Sequence, residues 1–254
     1  MPLLARADST VVVELRCFER FELAIRGQPF NLGSLRPRAR VVMRYLALHA
    51  NHPVHRDSLL ADLWPATSSR TATRSLHVTL STLRGFLGQL PGVDQGMLVR
   101  DGDAYRLVIG ERCRVDVADF RAAVVAARQA RGNGNEAVRA QALERAIDVY
   151  AGELLPEDGI AEWVVGPREQ LRQQAAQCTL DLAQLKLAGG DAVAAAQLAR
   201  ACVNIDRYRD DGWRALIRAY EDLGSHAAAA NARHDYALIL ESLGLDSAGA
   251  YYWR

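Results

Sequence analysis

The sequence predicts a mainly α protein with a small β component, in two domains that divide at residues 112 and 113. Three observations predict it. Residues 11–32 and 97–109 read as strands, and between them lie three short helical patterns. From residue 116 onward the apolar residues recur only with helical spacing. Charge divides in the same place: residues 1–110 hold 14 arginines against 9 acidic residues, whereas 111–254 hold 17 basic against 21 acidic residues. A positive field on one half alone is what a nucleic-acid-binding module joined to something else shows.

Val11, Val13, Leu15 and Cys17 alternate with Val12, Glu14, Arg16 and Phe18. Phe21, Leu23 and Ile25 then lead to the turn signal Gly27-Gln28-Pro29. A first helix has Pro37 near its start, where a missing N–H costs nothing. It carries Val42, Tyr45, Leu46 and His49 on one face, and Asn51-His52-Pro53 stops it. A second runs from about Arg56 to Trp64, with Leu59, Leu60, Leu63 and Trp64 apolar and Pro65 ending it. Ser68 or Ser69 caps a third helix over about Arg70 to Gln89. Met97–Arg100 and Tyr105–Ile109 read as strands around Asp101-Gly102-Asp103. Sheet, three helices, hairpin is the order of a winged helix-turn-helix with an extra N-terminal sheet, and it fills residues 1–112.

The third helix carries the functional reading. Ala72, Leu76, Leu80, Leu83 and Leu87 fall on one face, which should pack on the first two helices. The opposite face presents Thr71, Arg74, Val78 and Ser81, flanked by Arg70, Ser75, His77 and Thr82, and holds no carboxylate. Arginine pairs with guanine or phosphate, hydroxyls bond bases or phosphates, and Val78 suits a thymine methyl. The helix N-terminus points partial positive charge at phosphate. Arg100 and Arg106, on the wing strands, are placed to brace the neighbouring DNA backbone or minor groove. The competing reading of this face alone is a solvated amphipathic helix; the order of elements and the charge split favour DNA.

Residues 113–254 read as an all-α domain, with helices near 119–131, 136–151, 167–188, 191–205, 210–223 and 226–243. Gly132–Asn135 and Pro156–Gly159 break it. A 34-residue self-similarity pairs Leu182 with Leu216, Leu185 with Ala219, Gly190 with Gly224, Ala194 with Ala228 and Ala195 with Ala229. Helix, glycine turn, small-residue helix is the tetratricopeptide plan, echoed by Trp213, Leu216, Tyr220 and Leu223. The alternative is an alanine-rich bundle with accidental periodicity.

Half the residues are apolar and 24% are charged, an ordinary globular composition. No apolar run is long enough to span a membrane, and the N-terminus lacks a signal-peptide pattern, so a cytoplasmic protein is expected. Cys17, Cys113, Cys178 and Cys202 have no close pair and read as buried, reduced thiols. His49, His52 and His55 show no metal-ligand pattern. No nucleophile elbow, zinc motif or phosphate loop is present, and Glu157-Asp158 and Asp210-Asp211 read as solvated turn residues. Neither catalysis, metal nor cofactor is expected.

The two halves together resemble the Streptomyces antibiotic regulatory protein (SARP) family of transcriptional activators over about residues 11–247. The segments "RPRARVVMRYLALHANHPVHRDSLLADLWP", "ATRSLHVTLSTLRGFLG" and "GDAYRLVI" are similar to an OmpR/PhoB-type DNA-binding domain. "DVADFRAAVVAAR", "ALERAIDVYAGELLPE", "EWVVGPREQL" and "DGWRALIRAYEDLGSHAAAANARHDYALILESLGLD" resemble the bacterial transcriptional activator domain. The resemblance places Arg74, His77, Val78 and Thr79 at recognition-helix positions, with Arg84 in the closing Leu-Arg pair. Thr79 falls on the flank of the apolar stripe. The chain departs from the family at Ala104, Asp206-Arg207-Tyr208 and Ser247.

The resemblance implies binding to promoter direct repeats as a dimer and recruitment of RNA polymerase through the sigma factor. The outer face of the third helix, the wing strands and the resemblance together give the expected DNA-binding residues Arg70, Thr71, Arg74, His77, Val78, Ser81, Arg84, Arg100 and Arg106. A second reading is a helical adaptor that binds a protein or peptide, with no DNA role. No receiver precedes the winged helix and no Gly-x-x-x-x-Gly-Lys segment follows, as in the short members; the front end of a longer regulator fits equally.

Overall fold

Strands form where the alternation predicts them. In a computed structural model describing residues 12–90 and 96–250, β1 (Val13–Arg16) runs antiparallel to β2 (Glu22–Ile25), and β2 to β3 (Gln28–Pro29). Val11, expected at the head of the first run, lies outside the described residues. Val13, Leu15, Cys17 and Leu23 are buried, as the alternation requires. The turn residues are Arg26 and Gly27, both at positive φ (48° and 76°), one position earlier than the turn signal. Pro29 sits on the edge strand, where a missing N–H breaks no ladder bond.

α1 (Pro37–Leu48), α2 (Arg56–Leu63) and α3 (Ser69–Leu87) follow. Val54–His55 form the short strand β4 between α1 and α2, and it pairs with β6 (Ala104–Leu107), which pairs with β5 (Leu98–Asp101). β7 (Cys113–Val115) then adds in parallel to β1, giving the order β3-β2-β1-β7. Two- and three-residue strands are too short to display an alternation, so β4 and β7 were invisible in the sequence.

The remaining helices are α4 (Asp116–Gly132), α5 (Glu136–Val149), α6 (Glu162–Ala188), α7 (Ala192–Ile205), α8 (Asp210–Asp222) and α9 (His226–Ser242). α6 starts at Glu162, not at Pro167. The proline lies inside the helix and removes a single donor, which the flanking turns tolerate. The chain forms two compact units, one of residues up to Arg121 with Val149–Arg168, the other of Ala122–Asp148 with Glu169 onward.

In the first unit the Asp116 carboxylate accepts the N–H groups of Cys17 and Phe18, at 2.7 and 2.9 Å. The 149–168 segment adds to the same sheet region: Leu155 N–H donates to the Cys17 carbonyl at 2.8 Å and Glu157 accepts Phe21 N–H at 2.6 Å. Asp158 binds Arg44 with both oxygens at 2.7 Å and its side chain is only 6% exposed. Glu157 and Asp158 are thus structural acceptors rather than solvated turn residues.

In the second unit the 34-residue period is built in. Gly190 and Gly224 each end a helix at positive φ (79° and 67°), a conformation that favours glycine. The following residue closes the same bond in both copies: Asp191 N–H to Lys186 O and Ser225 N–H to Tyr220 O, each 2.9 Å. Leu216, Ala219, Ala195 and Ala229 are buried between the helices. Asp210 accepts the Tyr236 hydroxyl at 2.5 Å, so it too is an acceptor and not merely solvated. Cys17, Cys178 and Cys202 are buried, whereas Cys113 is half-buried. Among the described residues no helix is long and apolar enough to cross a membrane.

Candidate nucleic-acid interface

α3 forms because nineteen residues carry an apolar stripe at helical spacing, and that stripe faces inward. Ala72, Leu76, Leu80, Leu83 and Leu87 are all buried. Thr79 joins them: it is 8% exposed, and its hydroxyl donates to the Ser75 carbonyl at 2.7 Å. Ser68 occupies the N-cap position but makes no capping bond. Its hydroxyl donates instead to that of Thr71 at 3.0 Å.

The outer face is open. Arg70, Thr71, Arg74, His77, Val78 and Ser81 are exposed, Val78 by 53%. α3 contains no acidic residue, and Arg70 and Arg74 form no hydrogen bond or ion pair among the described residues. Two unpartnered guanidiniums beside a bare apolar group and the exposed hydroxyls of Thr71 and Ser81 form a surface with donors to offer and no carboxylate on the helix to repel an anion. The first-turn N–H groups of α3 add partial positive charge at the same end.

Arg84 sits differently. Its Nε donates to the Leu98 carbonyl at 3.3 Å and its guanidinium stacks over Tyr105 at 5.8 Å, so it braces α3 against the wing strands. The hairpin turn of the wing is Gly102-Asp103, with Asp101 paired to Ala104. Gly102 has φ +58° while Asp103 is not at positive φ, the pattern of a II′ turn rather than the I′ turn an Asp-Gly centre signals. Arg100 folds back over this turn, donating to Gly102 O at 2.9 Å with Asp103 3.9 Å from its guanidinium. Asp103 also meets Arg56 at 3.4 Å, a contact the sequence did not suggest. Arg106 is half-buried, and its Nε is buried without a hydrogen-bond partner. Asn51 ties the wing to α1, its N–H bonding Leu107 O and its side chain accepting Ile109 N–H, both at 2.8 Å.

The six residues on α3 therefore share one exposed surface, while Arg84, Arg100 and Arg106 are each engaged with or beside the wing. Asn51 and Arg56 are positioning residues that sequence reasoning missed. Asn51 carries a usable signal, since its φ of +64° is one that asparagine tolerates at a helix end.

Two family models match the chain. "Transcriptional regulatory protein, C terminal" covers residues 31–107, and "Bacterial transcriptional activator domain" covers residues 115–250, more than half the chain. The chain belongs to the bacterial transcriptional activator domain family. With its OmpR/PhoB-type winged helix it has the SARP architecture, that of DNA-binding transcription regulators.

Among relatives of this family, the transcriptional regulatory protein MoaR1 of Mycobacterium tuberculosis is 28% identical over 246 residues, 95% of this chain and 78% of that protein. The regulator EmbR of Mycobacterium bovis is 28% identical over 228 residues, 89% of this chain and 58% of that protein. A solved structure of Mycobacterium tuberculosis EmbR, in complex with a low affinity phosphopeptide, matches with TM-score 0.76 and 26% identity over 93% of this chain and 62% of that one.

Proposed function

We propose that the protein is a transcriptional activator that binds promoter direct repeats in double-stranded DNA as a homodimer and recruits RNA polymerase through the sigma factor. It works in the cytoplasm and is not an enzyme. Residues 1–112 grip DNA and 113–254 carry the activating function. The observation that carries the reading is the exposed, acid-free face of α3 with its unpartnered Arg70 and Arg74. Arg74, His77, Val78 and Ser81 reach bases, Arg70 and Thr71 hold phosphate at the helix N-terminus, and Arg84, Arg100 and Arg106 position or steady the wing.

The test is protection mapping on the promoter region of its own gene, with and without RNA polymerase. Two protected repeats on one face of the duplex, extended by polymerase, support the reading. Absence of salt-dependent binding overturns it. The 34-residue helix pairing favours a second reading, an adaptor for a protein or peptide, which predicts partner binding by the helical half and no DNA affinity.

A further inference from the structure

The helical unit holds a cavity that none of the DNA-facing residues line. Its walls come from α4, α5 and α6, with Arg209 from the turn before α8, and it is a cleft open to solvent of about 380 Å³. That lies within the range of small-molecule sites, about 300–1,000 Å³. Two helices present polar groups to it. Gln170, Gln173, Gln174 and Gln177 recur at i, i+3, i+4 and i+7 on the polar face of α6, beside the buried Cys178. On α4 the same spacing places Arg128 and Arg131 after Val124 and Ala127.

The charge in the cavity is unbalanced. Among the described lining residues four arginines face one carboxylate, Asp181. Arg139 reaches Asp181 and, outside the cavity lining, Glu136, each at 3.1 Å, and Arg209 reaches Asp181 through Gln177: Arg209 donates to the Gln177 side-chain oxygen at 2.7 Å and the Gln177 amide donates to Asp181 at 2.7 Å. The Nε of Arg209 is buried with no hydrogen-bond partner, the Asp206 carboxylate standing 3.9 Å away. Arg128 and Arg131 form no hydrogen bond or ion pair among the described residues. The exposed guanidiniums of Arg128 and Arg131 thus have donors without acceptors, and their planar forks match carboxylate and phosphate oxygens. Val124, Ala127 and Leu143 are buried and supply an apolar floor.

We infer that this cavity binds a small organic anion, with an acid group held by Arg128, Arg131 and Arg209 and an apolar body against Val124, Ala127 and Leu143. The acid is a carboxylate or a phosphate monoester, and its binding goes beyond the DNA-binding reading without depending on it. Asp181 competes with the ligand for Arg139, so it tunes the affinity downward.

The test is calorimetric titration of the full chain with benzoate, phenyl phosphate and inorganic phosphate at constant ionic strength. Saturable binding at one site per chain is expected from benzoate or phenyl phosphate, the tighter of the two naming the acid group, with inorganic phosphate weaker. Arg128→Gln with Arg131→Gln weakens binding at least about ten-fold, while Arg145→Gln, on α5 outside the cavity, leaves it unchanged. Asp181→Asn tightens binding several-fold, whereas mere damage to the helical packing loosens it. The inference is overturned if neither aromatic acid saturates, if the paired arginine substitutions change nothing, or if Asp181→Asn weakens binding. It is also overturned if an acidic peptide alone binds, which would mark a protein-docking site.

Discussion

Arg44 grips Asp158 across 114 residues of sequence, its Nε and a terminal nitrogen each 2.7 Å from a carboxylate oxygen. The two side chains are 13% and 6% exposed, so this is a buried bidentate pair fixing the 149–168 segment onto α1. Removing one partner leaves the other charge buried and alone. Arg44→Ala and Asp158→Ala should each lower stability by about 3–5 kcal/mol. The double variant should cost clearly less than their sum. Urea unfolding measures all three, and single-variant losses below about 1 kcal/mol would mean the pair behaves as a solvated one.

Asp116 gives the first unit a pH dependence. Burial pushes its carboxyl up from the usual range to about 6, against the downward pull of N–H bonds from Phe18, Cys17 and Val117. A raised folded-state value favours the protonated acid in the fold. The associated stability is complete below the ordinary value of 3.8 and is lost as pH rises through about 6. Acidification from pH 7 to 5 should therefore add about 1 kcal/mol from this group. Asp116→Asn should flatten that rise, and thermal unfolding at several pH values reads the difference.

Long periodic elements were legible and short non-local ones were not. The inner and outer faces of α3 follow from nineteen residues of unbroken spacing, and every residue of its predicted stripe is buried. The glycine pair Gly190 and Gly224 was visible because equal conformations recur 34 residues apart. β7 was hidden because its three residues acquire meaning only through β1, about a hundred residues earlier. Glu157 and Asp158 look like solvated turn residues until Phe21 and Arg44 are seen to need their oxygens. Pro167 misled by the usual preference of proline for a helix start. On the interface, side-chain identity suggests Arg84 and Arg100 as DNA contacts but does not reveal their bonds to Leu98 and Gly102, which depend on the hairpin's path.

That distinction is measurable. Arg74 is exposed and unpartnered, so Arg74→Ala should weaken specific DNA binding by about 1–3 kcal/mol without moving the unfolding midpoint. Arg70→Ala should weaken all sequences alike and shallow the salt dependence by about one unit of slope. Arg84→Ala should lower the unfolding midpoint as well, since it loses the Leu98 bond and the Tyr105 stack. Anisotropy titrations over a salt series, paired with thermal melts, separate the three. Equal effects on binding with no change in any melt would place all three arginines in the same role.

Asp103 restrains the wing tip. Its carboxylate lies 3.4 Å from Arg56 and 3.9 Å from Arg100, drawing both cations toward the turn. Asp103→Asn removes one negative charge near the proposed DNA-facing surface and weakens the hold on Arg56 and Arg100. Association should tighten by a few-fold at low salt and converge with the parent at high salt, where the Debye length falls to about 3 Å at 1 M. Unchanged or weaker binding at low salt would show that the wing does not approach the duplex.

Gly212 and Gly224 separate two reasons for glycine in the helical unit. A Cβ on Gly212 would lie 3.1 Å from Cys202 Sγ and 3.2 Å from Val203 Cγ1, so the residue is there to let α8 approach α7. A Cβ on Gly224 would meet nothing within 4 Å, but its φ of +67° disfavours any side chain. Gly212→Ala should cost about 1–3 kcal/mol through overpacking, and Gly224→Ala about 1–2 kcal/mol through backbone strain. The costs respond differently to space. Adding Val203→Ala should recover part of the Gly212→Ala loss, making the double variant cost less than the sum. The same addition should be purely additive with Gly224→Ala, because a strained φ gains nothing from a neighbouring void. Denaturant unfolding of the three single and two double variants tests this, and additivity in both pairs would remove steric closeness as the reason for Gly212.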